Sequence, residues 1–323
     1  EGTREDPAGA DPHAFSHAPV MVAEVVDVLA DVPDGLLVDA TLGGAGHATA
    51  LLGAIAGLRL LGLDRDEIAL AAARERLAPY GERVQLEHTR FDRLADAVAG
   101  SGHDGGVACL FDLGVSSPQL DVAERGFSYR HDGPLDMRMD RSAARTAADV
   151  VNGYDVAALV AMLRRHADEP HARRIAHAIA AARPLHTTTE LAEIVRDAVP
   201  APARRRGGHP ARRTFQAIRI EVNEELDVLA GALGQALGLL VPRGRCAVLA
   251  YHSGEDRIVK RVFRDAAGEK PPPRPDLPPP SDQIATVRTL WRGSRTPSAE
   301  EIASNPRAEA ARLRCVEKLE VAA

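Results

Sequence analysis

Acidic residues stand directly after two apolar segments of this chain, and a glycine-rich turn follows the first of them. Leu36–Val38 leads into Asp39, and residues 43–47 then read Gly-Gly-Ala-Gly-His. The second apolar segment, Leu60–Leu63, ends in Asp64, about 20 residues beyond the turn. A turn without bulky side chains lets backbone amides approach a ligand, and an acid at that distance can bind ribose hydroxyls. The pattern indicates a site for a cofactor that contains adenosine.

The turn lacks the G-x-G-x-x-G spacing that seats a pyrophosphate on a helix N-terminus. Asp39 would also repel a diphosphate, but it suits the ammonium group of a cofactor such as S-adenosylmethionine. Two alternatives stay open at this point. The turn can serve only to pack a strand against a helix, or the chain can be an NAD-type oxidoreductase. Titration with NADH or S-adenosylmethionine would separate the oxidoreductase from a protein that binds S-adenosylmethionine, because the true ligand raises the melting temperature.

The composition is that of a globular chain of 323 residues, 45% of them hydrophobic. The sequence has no apolar segment long enough to span a membrane and no signal-peptide core, so we expect a cytoplasmic protein. Aromatic residues make up only 3% of the chain, which argues against an aromatic platform for stacked bases. The three cysteines, Cys109, Cys246 and Cys315, are widely spaced, so we expect buried free thiols and no metal site.

The apolar periodicity predicts strands that alternate with helices, as in a parallel, doubly wound sheet. The predicted strands are 36–40, 59–64, 84–88, 106–112 and 245–250, with candidates at 284–292 and 312–320. The predicted helices are 19–30, 46–56, 66–78, 92–99 and 255–264.

The segments between and beyond these elements divide the chain further. The long stretch 128–220 is mostly helical in pattern and predicts an inserted subdomain that binds the substrate, leaving 17–127 and 221–323 for the α/β domain. Residues 1–16 are expected to be mobile, and Pro271–Pro280 to be extended and exposed.

Positive charge is concentrated in one part of an acidic chain. Residues 160–220 hold twelve arginines and five acids, a net charge of +7, whereas the whole chain has −6. Five of these arginines lie within residues 204–213, and so many guanidinium groups cannot be buried unpaired. We expect this loop to contact RNA phosphates through Arg204, Arg205, Arg212 and Arg213. A solvated charge run is the alternative interpretation.

Four further stretches combine side chains that can do chemistry. Asp112, Ser116, Ser117 and Gln119 follow a predicted strand, at the edge of the sheet where such folds bind ligands. The second stretch is dense in acids, arginines and methionines. The third places Arg219 and Asn223 one helical turn apart on the same face. The stretches are Phe111–Leu120, Arg125–Asp140, Phe215–Leu226 and Tyr251–Ser253.

Together with the glycine turn and Asn305-Pro306-Arg307, these motifs resemble the ribosomal RNA small subunit methyltransferase H (MraW) family over residues 16–320. The chain departs from the family pattern at three positions. The family turn usually reads Gly-Arg-Gly-Gly-His, whereas Gly44 and Ala45 replace its arginine and second glycine here. Gly254 stands where the family usually has leucine.

The resemblance implies a class I S-adenosylmethionine-dependent methyltransferase, an α/β fold with a doubly wound, mostly parallel seven-stranded sheet and an inserted helical subdomain. It implies N4-methylation of a cytidine in the decoding region of small-subunit (16S) ribosomal RNA. The expected partner is this rRNA, within the small ribosomal subunit, with no membrane and no DNA. With Asp39, the cofactor-binding residues are expected to be Ala45, Gly46, His47, Asp64, Phe91, Asp112 and Gln119.

The amine of cytosine is a poor nucleophile, so catalysis requires its alignment and acceptors for its N–H groups. We expect Asp112, Ser116 and the Ser117-Pro118 backbone to supply those acceptors, with Asp136 or Asp140 as an alternative carboxylate. Methylation at C5 would instead need a nucleophilic cysteine, and Cys109 lies inside a predicted strand. The usual DNA amino-methyltransferase signature is absent. A noncatalytic RNA-binding protein is a further alternative, which transfer of labelled methyl into rRNA would exclude.

Overall fold

The computed structural model describes residues 19–205, 208–269 and 284–320, except for the side chains of Ser117 and Pro118. The predictions for residues 1–16 and for Pro271–Pro280 lie outside these ranges. Two compact units make up the chain. Among the described residues, 19–114 with 224–269 and 284–320 form an α/β unit, and 115–205 with 208–223 form a helical unit.

Seven strands form a single sheet in the α/β unit, in the order β3-β2-β1-β4-β5-β7-β6. Strand β7 runs antiparallel to both of its neighbours, and the other neighbouring pairs are parallel. The doubly wound, mostly parallel seven-stranded sheet predicted above is therefore confirmed. The strands are β1 Gly35–Asp39, β2 Leu58–Asp64, β3 Val84–His88, β4 Gly106–Asp112, β5 Leu240–Ala250, β6 Val287–Thr289 and β7 Arg312–Lys318.

Helices connect the strands and build the helical unit. In chain order they are α1 Val22–Leu29, α2 Gly46–Ala54, α3 Glu67–Leu77, α4 Leu94–Gly100, α5 Ser117–Asp121, α6 Ala147–Gly153, α7 Val156–Ala167, α8 Ala172–Ala182, α9 Thr188–Ala198, α10 Ala201–Arg204, α11 Arg212–Asn223, α12 Glu225–Leu239, α13 Ser253–Ala266 and α14 Ala299–Ser304. Within the described ranges, none of these helices combines the length and the hydropathy needed to cross a bilayer.

Side chains of the central strands alternate between two apolar cores, one on each face of the sheet. Leu37 and Leu110 point into the core that α1, α2 and α3 complete. Their neighbours Val38 and Phe111 point into the core completed by α4, α12 and α13. Because both faces are covered, the strands consist almost entirely of apolar residues, which is why the sequence predicted them well.

Most boundaries lie within two residues of the predictions, and three larger differences concern α1, β5 and β6. Helix α1 begins at Val22 and not at residue 19, because Met21 adopts a left-handed conformation with φ of 54°. Strand β5 begins at Leu240, five residues early, where it pairs with Gly106 before a shift in register. Strand β6 covers only Val287–Thr289 of the candidate 284–292. Local periodicity does not indicate such backbone irregularities.

The helical unit has its own apolar core, to which α6, α7, α8, α9 and α11 contribute. Capping boxes fix the starts of two of these helices, at Thr146 for α6 and Thr187 for α9. The unit extends from 115 to 223, beyond the segment 128–220 drawn from sequence. The earlier start arises because Phe127, with the half-buried Val115 and Leu120, packs against this core.

Candidate active site

Three aspartates end three adjacent strands of the sheet. Asp39, Asp64 and Asp112 are the last residues of β1, β2 and β4, and β1 lies between the other two. Since the three strands are parallel, their carboxyl ends meet at one edge, where open α/β sheets bind ligands. The charges of Asp64 and Asp112 both act on Asp39, so the predicted residues form one cluster.

The glycine turn is attached to the end of β2 through Asp64. One oxygen, Oδ2, accepts a hydrogen bond from the Gly43 amide at 2.7 Å, and Oδ1 accepts one from the Asp66 amide at 2.8 Å. These bonds hold the carboxyl group in one orientation. Two carboxylate oxygens can accept about four hydrogen bonds, so Asp64 keeps the capacity to bind ribose hydroxyls.

The turn itself is compact and strained at one residue. Ala45 is fully buried with φ of 59°, a left-handed conformation that costs an alanine roughly 1 kcal/mol relative to glycine. At Gly46 a Cβ would lie 2.6 Å from Cγ of Pro19, so the chain needs glycine there. Arg76 donates a hydrogen bond to the Gly44 carbonyl at 2.7 Å and holds the turn from outside.

Burial governs the protonation of Asp39, which is 2% exposed. Desolvation raises the pKa of this carboxyl group to about 8; the amide of Thr41 opposes the shift, and Asp112 and Asp64 add to it. A cationic group placed among three carboxyl groups would be stabilised, whereas a diphosphate would be repelled. The arrangement therefore fits S-adenosylmethionine, which carries an ammonium and a sulfonium, and disfavours the NAD alternative.

Three contacts fix the orientation of Asp112. Its Oδ1 accepts a hydrogen bond from the Tyr251 hydroxyl at 2.7 Å, and its backbone amide donates to the Thr41 hydroxyl at 2.6 Å. Its Oδ2 lies 3.4 Å from Nδ1 of His47. Burial raises the pKa of Asp112 above its usual range, while His47 and the hydrogen bond from Tyr251 partly offset the shift. The carboxyl group is thus held in place, and its raised pKa favours the uptake of a proton.

His47 is oriented by the backbone on its other side. Its Nε2 lies 2.8 Å from the carbonyl oxygen of Val20. Because a carbonyl oxygen can only accept a hydrogen bond, Nε2 carries a proton, and Nδ1 is the nitrogen that faces Asp112. His47 is therefore held in one orientation by the Val20 carbonyl and lies beside Asp112 at the end of β4.

Tyr251 is a site residue that sequence reasoning missed. The stretch Tyr251–Ser253 was noted because it follows a strand, but only the fold brings the tyrosine onto Asp112, 139 positions earlier. Glu255 accepts hydrogen bonds from the amides of Tyr251 and His252. His252 in turn caps α13, with Nδ1 accepting from the amides of Gly254 and Glu255. The histidine is a local cap, and the tyrosine carries the contact to the site.

Phe91 follows β3 at the same edge of the sheet and is half-buried. Its ring meets that of Phe111 edge-on, with 6.0 Å between the ring centroids and an angle of 73°. This contact orients an aromatic side chain that follows β3, the strand paired with β2, which ends in Asp64.

The remaining predicted site residues belong to the helical unit. Gln119 is buried and its Oε1 accepts a hydrogen bond from the Ser116 amide at 3.0 Å. The side chain of Ser117 lies outside the described part of the structure. Asp136 forms a two-point ion pair with Arg138, at 2.8 and 2.9 Å. Burial raises the pKa of Asp136, but the bonds from Arg138 outweigh it and leave the pKa below its usual range.

Both ends of the predicted basic loop, residues 204–213, lie in helices. Arg204 is the last residue of α10, and Arg212 and Arg213 begin α11, two residues after Pro210. Arg205, Arg212 and Arg213 are exposed. Arg204 donates to the carbonyl of Val199, so part of the cluster is oriented by the fold.

The structure also tests chemistry that needs a thiol or a metal. Cys109 is fully buried, and burial raises the pKa of its thiol to about 12. Cys246 and Cys315 are also free and buried. Among the described residues, no group of three or more His, Cys, Asp or Glu is arranged to hold a metal ion. These cysteines offer no nucleophile for methylation at C5.

Known proteins resemble this chain over most of its length. The family model described as the MraW methylase family matches residues 14–319. A ribosomal RNA small subunit methyltransferase H of Thermobifida fusca is 51% identical over 311 residues, covering 94% of each chain. Its counterpart in Mycolicibacterium gilvum is 52% identical over 309 residues, covering 94% of this chain and 83% of that one. An rRNA methylase from Streptococcus thermophilus is a structural neighbour with a TM-score of 0.43 and 14% identity, over 94% of this chain and 100% of its own. The chain belongs to the MraW methylase family.

Proposed function

We propose that this chain transfers a methyl group from S-adenosylmethionine to N4 of a cytidine in the decoding region of small-subunit (16S) ribosomal RNA. The family and the fold are those of a methyltransferase, and the relatives named above are methyltransferases of small-subunit rRNA. The observation that carries the choice of N4 is Asp112, a half-buried carboxyl group held by Tyr251 and His47, whereas a C5 enzyme would need a thiol. The substrate is the rRNA within the small subunit, in the cytoplasm, and not DNA.

The cofactor would be held by the strand ends and the turn. Asp39 would pair with its ammonium group, Asp64 would accept bonds from the ribose hydroxyls, and Phe91 would contact the adenine. The backbone of residues 45–47 would supply amides at close approach, because the turn carries no large side chain. When bound, S-adenosylmethionine supplies an electrophilic methyl group on its sulfonium.

Asp112 would act on the target amine. The lone pair of the cytosine amine is delocalised into the ring, so the amine attacks only when it is aligned and when an acceptor takes up its developing positive charge. Asp112 would accept a hydrogen bond from the amine and then take its proton. The Tyr251 hydroxyl and His47 would keep the carboxyl group aimed while its charge changes. Ser116, Ser117 and Gln119 would assist from the segment that follows β4, and Asp136 is the alternative carboxylate.

The helical unit would bind the RNA. Its exposed arginines can neutralise phosphates without burying charge, and the target base must leave its stack to reach the edge of the sheet. An exposed rRNA loop suits this requirement better than a duplex does. In this proposal Arg204, Arg205, Arg212 and Arg213 contact the RNA backbone.

The test is transfer of labelled methyl into small subunits that lack the modification. After nuclease digestion, mass spectrometry should find N4-methylcytidine and no 5-methylcytidine. Asp112→Ala should lower turnover by about 10²- to 10⁴-fold, the usual contribution of a general base, while calorimetry still detects the cofactor. The exposed Asp104→Asn serves as a matched control. Label at C5, or full turnover by Asp112→Ala, would show the proposal to be wrong.

A further inference from the structure

Two rings stack in the helical unit, at residues to which no cofactor role is assigned. The ring centroids of Tyr129 and His209 lie 4.6 Å apart, and the rings are inclined by only 12°. Phe215, buried in the helical core, meets Tyr129 edge-on at 5.7 Å and 82°. Tyr129 is half-buried and His209 is exposed. The histidine is therefore the outer ring of a stack that the core supports from below.

The orientation and charge of His209 are also fixed. Its Nδ1 accepts a hydrogen bond from the Ala211 amide at 3.2 Å, and its carbonyl oxygen accepts one from the Arg212 amide at 3.0 Å. Burial lowers the pKa of His209, and the positive charges of Arg130 and Arg196 lower it further. At neutral pH the ring is therefore uncharged, with its proton on Nε2. A neutral ring held flat offers the type of surface on which a nucleobase stacks.

Positive charge surrounds the stack. The guanidinium carbon of Arg130 lies 5.8 Å from the centre of the Tyr129 ring. Arg205, Arg212 and Arg213 are exposed and lie within four residues of His209 in the sequence. An aromatic side chain of a partner protein could also stack on a ring, but this density of arginines favours a polyanion. An aromatic surface among cations is the combination with which proteins bind single-stranded RNA.

We propose that the outer face of His209 stacks on an unpaired base of the RNA substrate. This inference rests on the proposed action on rRNA. Arg130, Arg205 and Arg212 contact the phosphates on either side of that base. The low aromatic content argued against such a surface in the sequence. The proposed surface consists of a single tyrosine and a histidine, and the aromatic fraction does not count histidine.

Two substitutions of His209 separate stacking from its structural role. His209→Asn keeps an acceptor for the Ala211 amide, because an asparagine side chain can bond the backbone two residues further on, but the ring is lost. His209→Phe keeps the ring and loses the acceptor. The probes are a fluorescent single-stranded RNA of the decoding loop and an abasic ribose-phosphate strand of equal length, both measured by anisotropy at several salt concentrations. Arg205→Ala is the matched variant for phosphate contact.

For a stacked base, His209→Asn should weaken binding of the RNA about tenfold, within the range known for one base on an aromatic ring. It should leave the abasic strand and the salt dependence unchanged, and His209→Phe should bind nearly as the native chain does. Arg205→Ala should weaken both probes and lower the salt slope by about 1.

Equal weakening of both probes by His209→Asn, or a His209→Phe variant as weak as His209→Asn, would overturn the proposal. So would a loss confined to intact small subunits, since it would indicate a protein contact. These binding measurements do not depend on methyl transfer. Failure of the native chain to label rRNA would count against the proposed function and leave the stacking result as it stands.

Discussion

Replacing Asp39 by asparagine should stabilise the protein without cofactor, and the gain should depend on pH. The folded state holds the proton of this carboxyl group up to a pKa of about 8, whereas the unfolded chain releases it near 3.8. Between these values the folded state binds more protons than the unfolded state, so the free energy of unfolding falls as pH rises. Asparagine resembles the protonated carboxyl group and can accept the same hydrogen bond from the Thr41 amide. It has no proton to lose.

The size of the effect follows from the same values. At pH 7 the native chain stands about three pH units above the pKa of the unfolded aspartate. At about 1.4 kcal/mol for each unit, Asp39→Asn should gain up to about 4 kcal/mol there and close to nothing at pH 4. The gain should level off above pH 8. For a unit of this size it corresponds to a rise in Tm on the order of 10 °C at neutral pH.

Urea unfolding between pH 4 and pH 9, followed by the fluorescence of Trp291, measures this gain. Trp291 is the single tryptophan of the chain and belongs to the α/β unit that contains Asp39. The exposed Asp104→Asn is the control for removal of one negative charge. If the native chain and Asp39→Asn lost stability in parallel over this range, the reasoning about buried carboxyl groups would be refuted. The same variant should bind S-adenosylmethionine more weakly, because an amide cannot form an ion pair with the ammonium group.

Three further predictions test the proposed roles. Tyr251→Phe removes a hydrogen bond that lowers the pKa of Asp112, so the acidic limb of the pH–rate profile should move to higher pH; an unmoved limb would refute the coupling. Hydrogen bonds from His166 and Tyr154 lower the pKa of Glu221 from 4.5 to about 2. Its contribution to the free energy of unfolding is therefore fully present above pH 4.5 and is lost as the pH falls toward 2. Glu221→Gln should cost about 2–3 kcal/mol at pH 7 in unfolding followed by circular dichroism, and a deficit that persisted undiminished at pH 3 would contradict this. Joint replacement of four arginines by alanine should flatten the salt dependence of rRNA binding and spare cofactor affinity, and an unchanged slope would argue against phosphate contact; the four are Arg204, Arg205, Arg212 and Arg213.

The sequence by itself determined the elements of the sheet and the residues at its edge. Buried parallel strands are short apolar segments, so periodicity located them, and β4 was predicted at its observed bounds, Gly106–Asp112. An acid that ends such a strand must lie at the carboxyl edge whatever the register of the sheet. The grouping of Asp39, Asp64 and Asp112 was therefore implied by order and pattern, and the family motifs indicated the kind of cofactor.

Only the tertiary structure decided which distant side chains meet and how each carboxyl group is charged. The hydrogen bond from Tyr251 to Asp112 and the stack of His209 on Tyr129 join residues far apart in the chain. Such contacts depend on strand register and helix packing, which local periodicity does not encode. The raised pKa of Asp39 likewise depends on the whole surrounding core, because desolvation is a property of every atom that excludes water from the carboxyl group.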